Sequence, residues 1–219
     1  MLFRSSDLMH LCEHYAHEND QLTRQLTETT AQLAGEVETR KSLEMRVRDE
    51  IHPDESHRFN PQTGIYTEKA MLALIDQEIS RTRRYQRPLS LLCIRVDQMM
   101  KVVEKAGLTP GKLLSILSDT FNESLRREDV LGHYGDDGFY VILPETGRYA
   151  SYVVAERLRH LVEVMTLFKD ESTSLTISIG LTAYQDQAKM TVETFTQQAS
   201  IALASAEEHG GNWTISWYD

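Results

Sequence analysis

The stretch His133-Tyr134-Gly135-Asp136-Asp137-Gly138-Phe139 lies between two apolar runs, at residues 130–131 and 140–143. Because both runs have the composition of β-strands, the stretch predicts a β-hairpin. Asp137-Gly138 is a typical turn pair, since a tight primed turn needs residues that tolerate a positive φ. The two adjacent carboxylates could hold a divalent cation beside a phosphate. A purely structural turn is the simpler explanation of the same residues.

The composition indicates a soluble globular protein, with one domain and an extension or with two small domains. The chain has 219 residues, of which 41% are hydrophobic and 26% are charged. Its net charge of −10 argues against a general nucleic-acid-binding surface. The sequence shows neither a signal peptide nor an apolar run of membrane-spanning length. We therefore expect a cytoplasmic protein that binds neither nucleic acid nor a membrane.

Residues 1–52 have the pattern of a long N-terminal helix. Two interleaved seven-residue series form an alternating three–four seam, made of Leu8, Tyr15 and Leu22 and of Cys12, Asn19, Leu26 and Leu33. A polar residue in such a seam, here Asn19, fixes the register of a dimer. We predict a parallel dimeric coiled coil; the alternative is a single amphipathic helix that packs on its own domain. Residues 53–59 read as a linker, and residues 60–219 as the second domain.

Helices and strands alternate in this second domain. The patterns predict helices over residues 67–85, 110–127, 148–164 and 192–208, and strands over residues 89–96, 175–184 and 213–218, around the hairpin at 129–143. This order indicates an α/β (α+β) fold in which a central mixed β-sheet is flanked by helices.

Five segments of the chain resemble landmarks of the GGDEF domain of diguanylate cyclases. In order, they are residues 60–66, 83–89, 134–144, 175–180 and 199–212, and the resemblance covers residues 58–219. It implies a nucleotidyl-cyclase-like fold in a bacterial signal-transduction protein of the second messenger cyclic di-GMP. In this family two domains, each with one GTP, face each other, and metal-assisted phosphoryl transfer yields cyclic di-GMP.

Several residues depart from the family's catalytic pattern. Within the signature, Gly135, Asp137 and Phe139 remain, but Asp136 replaces a glycine and Gly138 replaces a glutamate. A family metal ligand on the strand at 89–96 is replaced by a cation, Arg95, which would repel a metal.

The nucleotide-binding positions depart in the same direction. The guanine-binding asparagine and aspartate of the family fall at Val103 and Lys112, and its phosphate-contacting lysine and arginine fall at Glu207 and Gly211. The resemblance therefore implies a degenerate site with no catalytic residue, no bound metal and no required cofactor. Asp137 is a vestigial ligand, and magnesium would matter only for residual activity.

A second family site keeps its residues. Arg126 and Asp129 form an Arg-x-x-Asp motif five residues before the signature, which matches the inhibitory site where the family binds cyclic di-GMP. An arginine fork suits phosphate or a guanine edge, and a carboxylate accepts guanine N–H groups. Arg157 falls where the family supplies a further arginine, with Arg159 as the alternative. The simpler explanation of Arg126 and Asp129 is a surface pair at a helix end.

The sequence thus favours a catalytically inactive dimeric receptor or effector that binds cyclic di-GMP at Arg126, Asp129 and Arg157. The alternatives are a nucleotide-independent interaction scaffold for an unknown protein partner, a residual diguanylate cyclase, and an altered pocket that takes another nucleotide.

Overall fold

The computed structural model describes residues 58–165, 175–184 and 190–218, together with Glu36 and Arg40, which are both helical. Apart from Glu36 and Arg40, the predicted coiled coil lies outside these described residues, as does most of the predicted linker. Phe59, at the end of that linker segment, already forms a β-bridge with Tyr66. Among the described residues no helix is both long and apolar enough to cross a membrane.

A five-stranded mixed sheet forms the centre of the globular part. Its strands are β1 (Leu89–Val96), β2 (Val130–Tyr134), β3 (Gly138–Pro144), β4 (Ile177–Ala183) and β5 (Thr214–Ser216). The strand order is β2-β3-β1-β4-β5, and only the β4–β5 pair is parallel. The predicted mixed sheet is therefore confirmed.

Five helices accompany the sheet in the described part of the chain. They are α1 (Glu68–Tyr85), α2 (Met99–Ala106), α3 (Pro110–Ser124), α4 (Arg148–Glu163) and α5 (Val192–Glu208). Threonine hydroxyls accept the capping hydrogen bonds of three of them, at Thr67, Thr109 and Thr191. The predicted elements did not include α2, whose N-cap Gln98 makes no side-chain capping bond.

Helices cover both faces of the sheet, which explains why most residues of β1 are apolar. Leu92 and Ile94 pack on one face, with side chains from α2, α3 and α4. Leu91 and Cys93 pack on the other face, with side chains from α1 and α5. Because successive strand residues point to opposite faces, a strand covered on both sides needs an uninterrupted apolar run. The exceptions are Ser90, which is buried and donates a hydrogen bond to the carbonyl oxygen of Thr146, and the partly exposed Arg95.

The hairpin is present, but its turn lies earlier than the sequence predicted. Tyr134 pairs directly with Gly138, so Gly135, Asp136 and Asp137 form the loop. The positive φ, 58°, belongs to Gly135. The predicted Asp137-Gly138 turn is therefore wrong in position. Gly138 begins β3, and a Cβ there would lie only 2.5 Å from the carbonyl oxygen of Ile94, so close strand packing is what requires this glycine.

Candidate functional site

Arg95 joins three elements at the end of the sheet where the signature hairpin turns. It lies on β1, opposite Gly138 of β3. Its Nε donates to Oδ1 of Asp137 at 3.2 Å, and its Nη1 donates to Oε1 and Oε2 of Glu207 at 3.1 and 3.2 Å. Since Glu207 lies in the last turn of α5, one guanidinium links β1, the hairpin loop and α5. We call Arg95, Asp137 and Glu207 the Arg95 cluster.

The surroundings of the Arg95 cluster keep the guanidinium charged. The Arg95 side chain is 32% exposed, and its guanidinium carbon lies 5.4 Å from the centre of the Tyr134 ring. Burial acts to lower the pKa of Arg95, but the hydrogen bonds that Arg95 donates to Glu207 and the negative charges of Glu207 and Asp137 outweigh burial and raise the pKa. These contacts therefore favour the cationic form of Arg95.

These residues do not fit the divalent cation on which metal-assisted phosphoryl transfer in the resembled family depends. Mg²⁺ requires near-octahedral oxygen coordination, with carboxylates as the usual protein ligands. In the part of the chain that the structure describes, no group of three or more His, Cys, Asp or Glu side chains could hold a metal. The two carboxylates that come together here, Asp137 and Glu207, are both bound to a fixed cation.

The other signature residues either face solvent or pack inside the fold. Asp136 is exposed at the tip of the hairpin loop. Phe139 is fully buried and makes an edge-to-face contact with Phe121, with ring centres 5.2 Å apart. Gly138 is buried in the sheet. The hairpin thus keeps its packing function in the fold.

The two positions that the family resemblance assigns to guanine binding lie on α2 and α3. Val103 is a residue of α2 whose side chain is buried in the core, and Lys112 is exposed in the first turn of α3. The side chain of Gln62 packs so closely on Gly111 that a Cβ at Gly111 would collide with it. The sequence reasoning missed Gln62, because its contact joins a loop to a helix 49 residues away, and no local pattern signals it.

Asp97 is hydrogen-bonded to the turn after α5, separately from the Arg95 cluster. The Asp97 carboxylate accepts hydrogen bonds from Oγ of Ser178 at 2.6 Å and from the backbone N–H of Asn212 at 2.8 Å. Gly211, at a φ of 78°, packs directly against this carboxylate. Both Asp97 oxygens are therefore used in joining β1 to β4 and to the C-terminal turn, and Gly211 supplies the tight backbone there.

The structure brings Arg126, Asp129 and Arg157 together. Oδ2 of Asp129 accepts the backbone N–H of Arg126 at 2.9 Å in the turn after α3. Arg157, on α4, donates from Nη2 to the carbonyl oxygen of Ser124 at 2.7 Å, at the end of α3. Burial raises the pKa of Asp129, opposed by the N–H of Arg126 and by the positive charges of Arg126 and Arg157. The carboxylate therefore lies in the field of both arginines.

Arg159, the alternative third residue, has different partners. It pairs with Glu156 at 3.1 Å and with Glu163 at 3.3 Å, and its Nη1 donates to Oδ1 of Asn212 at 2.8 Å. Asn212 in turn donates from Nδ2 to Glu163. Arg159 thus ties α4 to the turn after α5, whereas Arg157 is directed to the turn that carries Arg126 and Asp129.

Comparison with known proteins decides the family. Residues 58–213 match the family model described as "Diguanylate cyclase, GGDEF domain". The chain belongs to the GGDEF domain family. Among curated relatives, this GGDEF protein is 30% identical over 128 residues to the diguanylate cyclase DgcP of Pseudomonas aeruginosa, an alignment that covers 58% of the chain and 19% of DgcP. The alignments with the curated relatives span 19% to 41% of those proteins' own lengths.

Solved structures show the same fold. The diguanylate cyclase SiaD of Pseudomonas aeruginosa, solved in complex with its activator SiaC, matches with a TM-score of 0.67 at 22% identity, over 96% of this chain and 82% of SiaD. The GGDEF domain of DgcB from Caulobacter crescentus, solved with cyclic di-GMP, matches with a TM-score of 0.67 at 16% identity, over 74% of this chain and 94% of that domain. The expected fold of this GGDEF domain is therefore confirmed.

Proposed function

We propose that this GGDEF protein is a catalytically inactive signalling protein that binds cyclic di-GMP at Arg126, Asp129 and Arg157 and acts as a dimeric receptor or effector. The observation that carries the loss of catalysis is the Arg95 cluster. A fixed guanidinium lies between the two carboxylates, where diguanylate cyclase chemistry would need metal ions and a triphosphate.

The chemistry of phosphoryl transfer supports this proposal. Catalysis of that reaction consists almost entirely of positioning and of charge neutralisation by metal ions and basic side chains. Glu207 presents a carboxylate where the family uses a lysine, so it repels a polyanion. Val103 is buried and has no polar atom in its side chain with which to bind guanine. The phosphate-binding part and the guanine-binding part of a GTP site thus both lack the groups they need.

The geometry around Asp129 supports the binding function. Cyclic di-GMP carries two phosphates and two guanines, which suit guanidinium forks and a carboxylate acceptor. Arg126 and Arg157 are both exposed, and both act electrostatically on Asp129. The presence of cyclic di-GMP in the DgcB structure adds support from a relative.

The assembly of the protein belongs to the same proposal. A dimer through residues 1–52 would place two of these binding sites in one molecule. The complex of SiaD with its activator supports a protein partner for this chain as well. In this proposal the function requires no cofactor, and the protein acts in the cytoplasm.

Calorimetry with cyclic di-GMP tests the binding function. We expect saturable binding to the wild-type protein, and at least about tenfold weaker binding to Arg126→Ala, because hydrogen bonds to charged groups each contribute about 1.5–3 kcal/mol. Arg127→Ala is the matched control, since it removes the same charge from the neighbouring exposed residue. Its affinity should stay close to that of the wild type.

Two results would contradict the proposal in different ways. If the wild-type protein gives no binding heat at high ligand concentration, the nucleotide-independent scaffold becomes the better description. If incubation with GTP and Mg²⁺ yields cyclic di-GMP by chromatography, and Asp137→Ala abolishes this product, the protein is a residual diguanylate cyclase.

A further inference from the structure

The Arg95 cluster has a property that goes beyond cyclic di-GMP binding. We infer that the Arg95 guanidinium is an internal counter-ion that takes the place of a divalent cation between Asp137 and Glu207. The guanidinium occupies the space between the two carboxylates and repels metal ions from it. The signature hairpin is therefore linked to α5 without any metal. This inference rests on the same cluster as the proposed loss of catalysis, but it does not depend on the site at Arg126, so it can fail while cyclic di-GMP binding stands.

The first argument is geometric. Three hydrogen bonds of 3.1 to 3.2 Å run from one guanidinium to two carboxylates that lie on different elements. Asp137 comes from the hairpin loop and Glu207 from α5, and the two residues are 70 positions apart in the sequence. A planar guanidinium presents its N–H groups in a fixed fork, so it can bridge carboxylates as a bound cation would.

The second argument concerns the position of Glu207. It lies in the last turn of α5, where the helix dipole disfavours a carboxylate. That turn contains no basic residue to offset its charge. Arg95, on β1, supplies this positive charge, since its Nη1 lies 3.1 Å from Oε1 of Glu207. The positive charge of Arg95 on β1 thus stabilises the Glu207 carboxylate at this helix end.

The third argument concerns what the cluster would become without its arginine. Asp137 and Glu207 would then face each other as like charges, with partly exposed side chains of 44% and 34% accessibility. A carboxylate at position 95 would add a third oxygen ligand. Hard cations such as Mg²⁺ and Mn²⁺ prefer carboxylate oxygens, and such a set resembles their usual sites. Position 95 therefore determines which kind of cation the cluster holds.

Mn²⁺ binding to the full-length protein, measured by calorimetry, tests this inference. We expect no saturable binding to the wild type at millimolar Mn²⁺. Arg95→Asp should bind Mn²⁺ at least about tenfold more tightly than Arg95→Ala, a difference of about 1.4 kcal/mol. Adding Asp137→Asn to Arg95→Asp should remove the gain. Cyclic di-GMP binding should survive in Arg95→Asp, which separates this test from that of the proposed function.

Two outcomes would overturn the inference: saturable Mn²⁺ binding by the wild type that Asp137→Asn abolishes, or a folded Arg95→Asp that binds Mn²⁺ no more tightly than Arg95→Ala. If Arg95→Asp fails to fold, Arg95→Met and Glu207→Gln replace it in a double-mutant cycle followed by urea unfolding. Non-additive shifts of the midpoint support the pair. Additive shifts contradict it.

Discussion

Arg157 donates a hydrogen bond from Nη2 to the carbonyl oxygen of Ser124 at 2.7 Å, which fixes an exposed side chain of α4 at the end of α3. The turn that follows Ser124 carries Arg126 and Asp129. Because the Arg157 guanidinium is already held beside this turn, a ligand there would order one flexible side chain fewer.

Arg157→Ala should therefore weaken cyclic di-GMP binding by about tenfold or more, since it removes charge-assisted hydrogen bonds. Arg157→Lys should recover only part of the affinity, because an ammonium group lacks the planar fork. Calorimetry on both variants measures these effects.

Arg159→Ala is the control for Arg157, because Arg159 lies two residues away on the same helix and pairs with Glu156 and Glu163. It should bind cyclic di-GMP like the wild type. If Arg159→Ala loses affinity and Arg157→Ala does not, Arg159 is the third residue of the site.

The affinity for cyclic di-GMP should decrease in mild acid. The Asp129 carboxylate must be ionised to accept guanine N–H groups, and burial raises the pKa of Asp129 above its ordinary value. When binding is measured from about pH 7 down to about pH 4, it should thus start to decline at a higher pH than it would with an ordinary aspartate. Asp129→Asn should bind weakly over the whole range and show a flatter profile. A wild-type affinity that stays constant across this range would contradict the role of Asp129.

The same raised pKa has an effect on stability of opposite sign. The folded protein holds the Asp129 proton more tightly than the unfolded chain does, so this residue favours folding in acid. That contribution is lost as the pH rises from the ordinary aspartate pKa through the raised one. Asp129→Asn should remove this part of the pH dependence of unfolding.

Gly138→Ala should destabilise the fold by about 1–3 kcal/mol, because the new Cβ would lie 2.5 Å from the carbonyl oxygen of Ile94. Gly135→Ala is the comparison within the same hairpin. It has a φ of 58° and no atom within 4 Å of a new Cβ, so it should cost only about 1 kcal/mol. Urea unfolding measures both. Equal losses would show that backbone packing at Gly138 is not the constraint.

Arg159→Ala should lower stability at neutral pH and make unfolding less sensitive to acid. Burial acts to raise the pKa of Glu156, but its hydrogen bond to Arg159 lowers the pKa overall. The pKa of Glu163 is lowered first by the hydrogen bond from Asn212 and further by Arg159. Carboxylates with a lowered pKa stabilise the folded state above their ordinary pKa, and this contribution is lost as the pH falls through the lowered value.

Thermal unfolding, recorded between about pH 3 and 7, measures this loss of stability in acid. Arg81→Ala is the control, since Arg81 forms one exposed pair with Glu78. The variant Arg159→Ala should lose more stability at pH 7 than at pH 3. A loss that is equal at both values would mean that Arg159 contributes through packing alone.

Local patterns were sufficient for most of the elements. The structure has β1 at Leu89–Val96 and α5 at Val192–Glu208, as the apolar run and the helical spacing predict. Helix α2 was missed because it has only eight residues and begins after Gln98, which adopts a left-handed φ of 50°. A short helix with that start carries few of the capping signals on which a sequence prediction relies.

The sequence by itself determined the family and the order of most helices and strands. These properties follow from hydrophobic periodicity and from residue identities at fixed spacings, which are local. Tertiary structure alone decided that Arg95 pairs with Asp137 and Glu207, that Gly138 serves strand packing, and that Arg157, not Arg159, reaches the turn at Arg126. Ion pairs and close contacts depend on distances of a few ångströms between residues far apart in the chain. Only the folded packing of the sheet and its helices sets those distances.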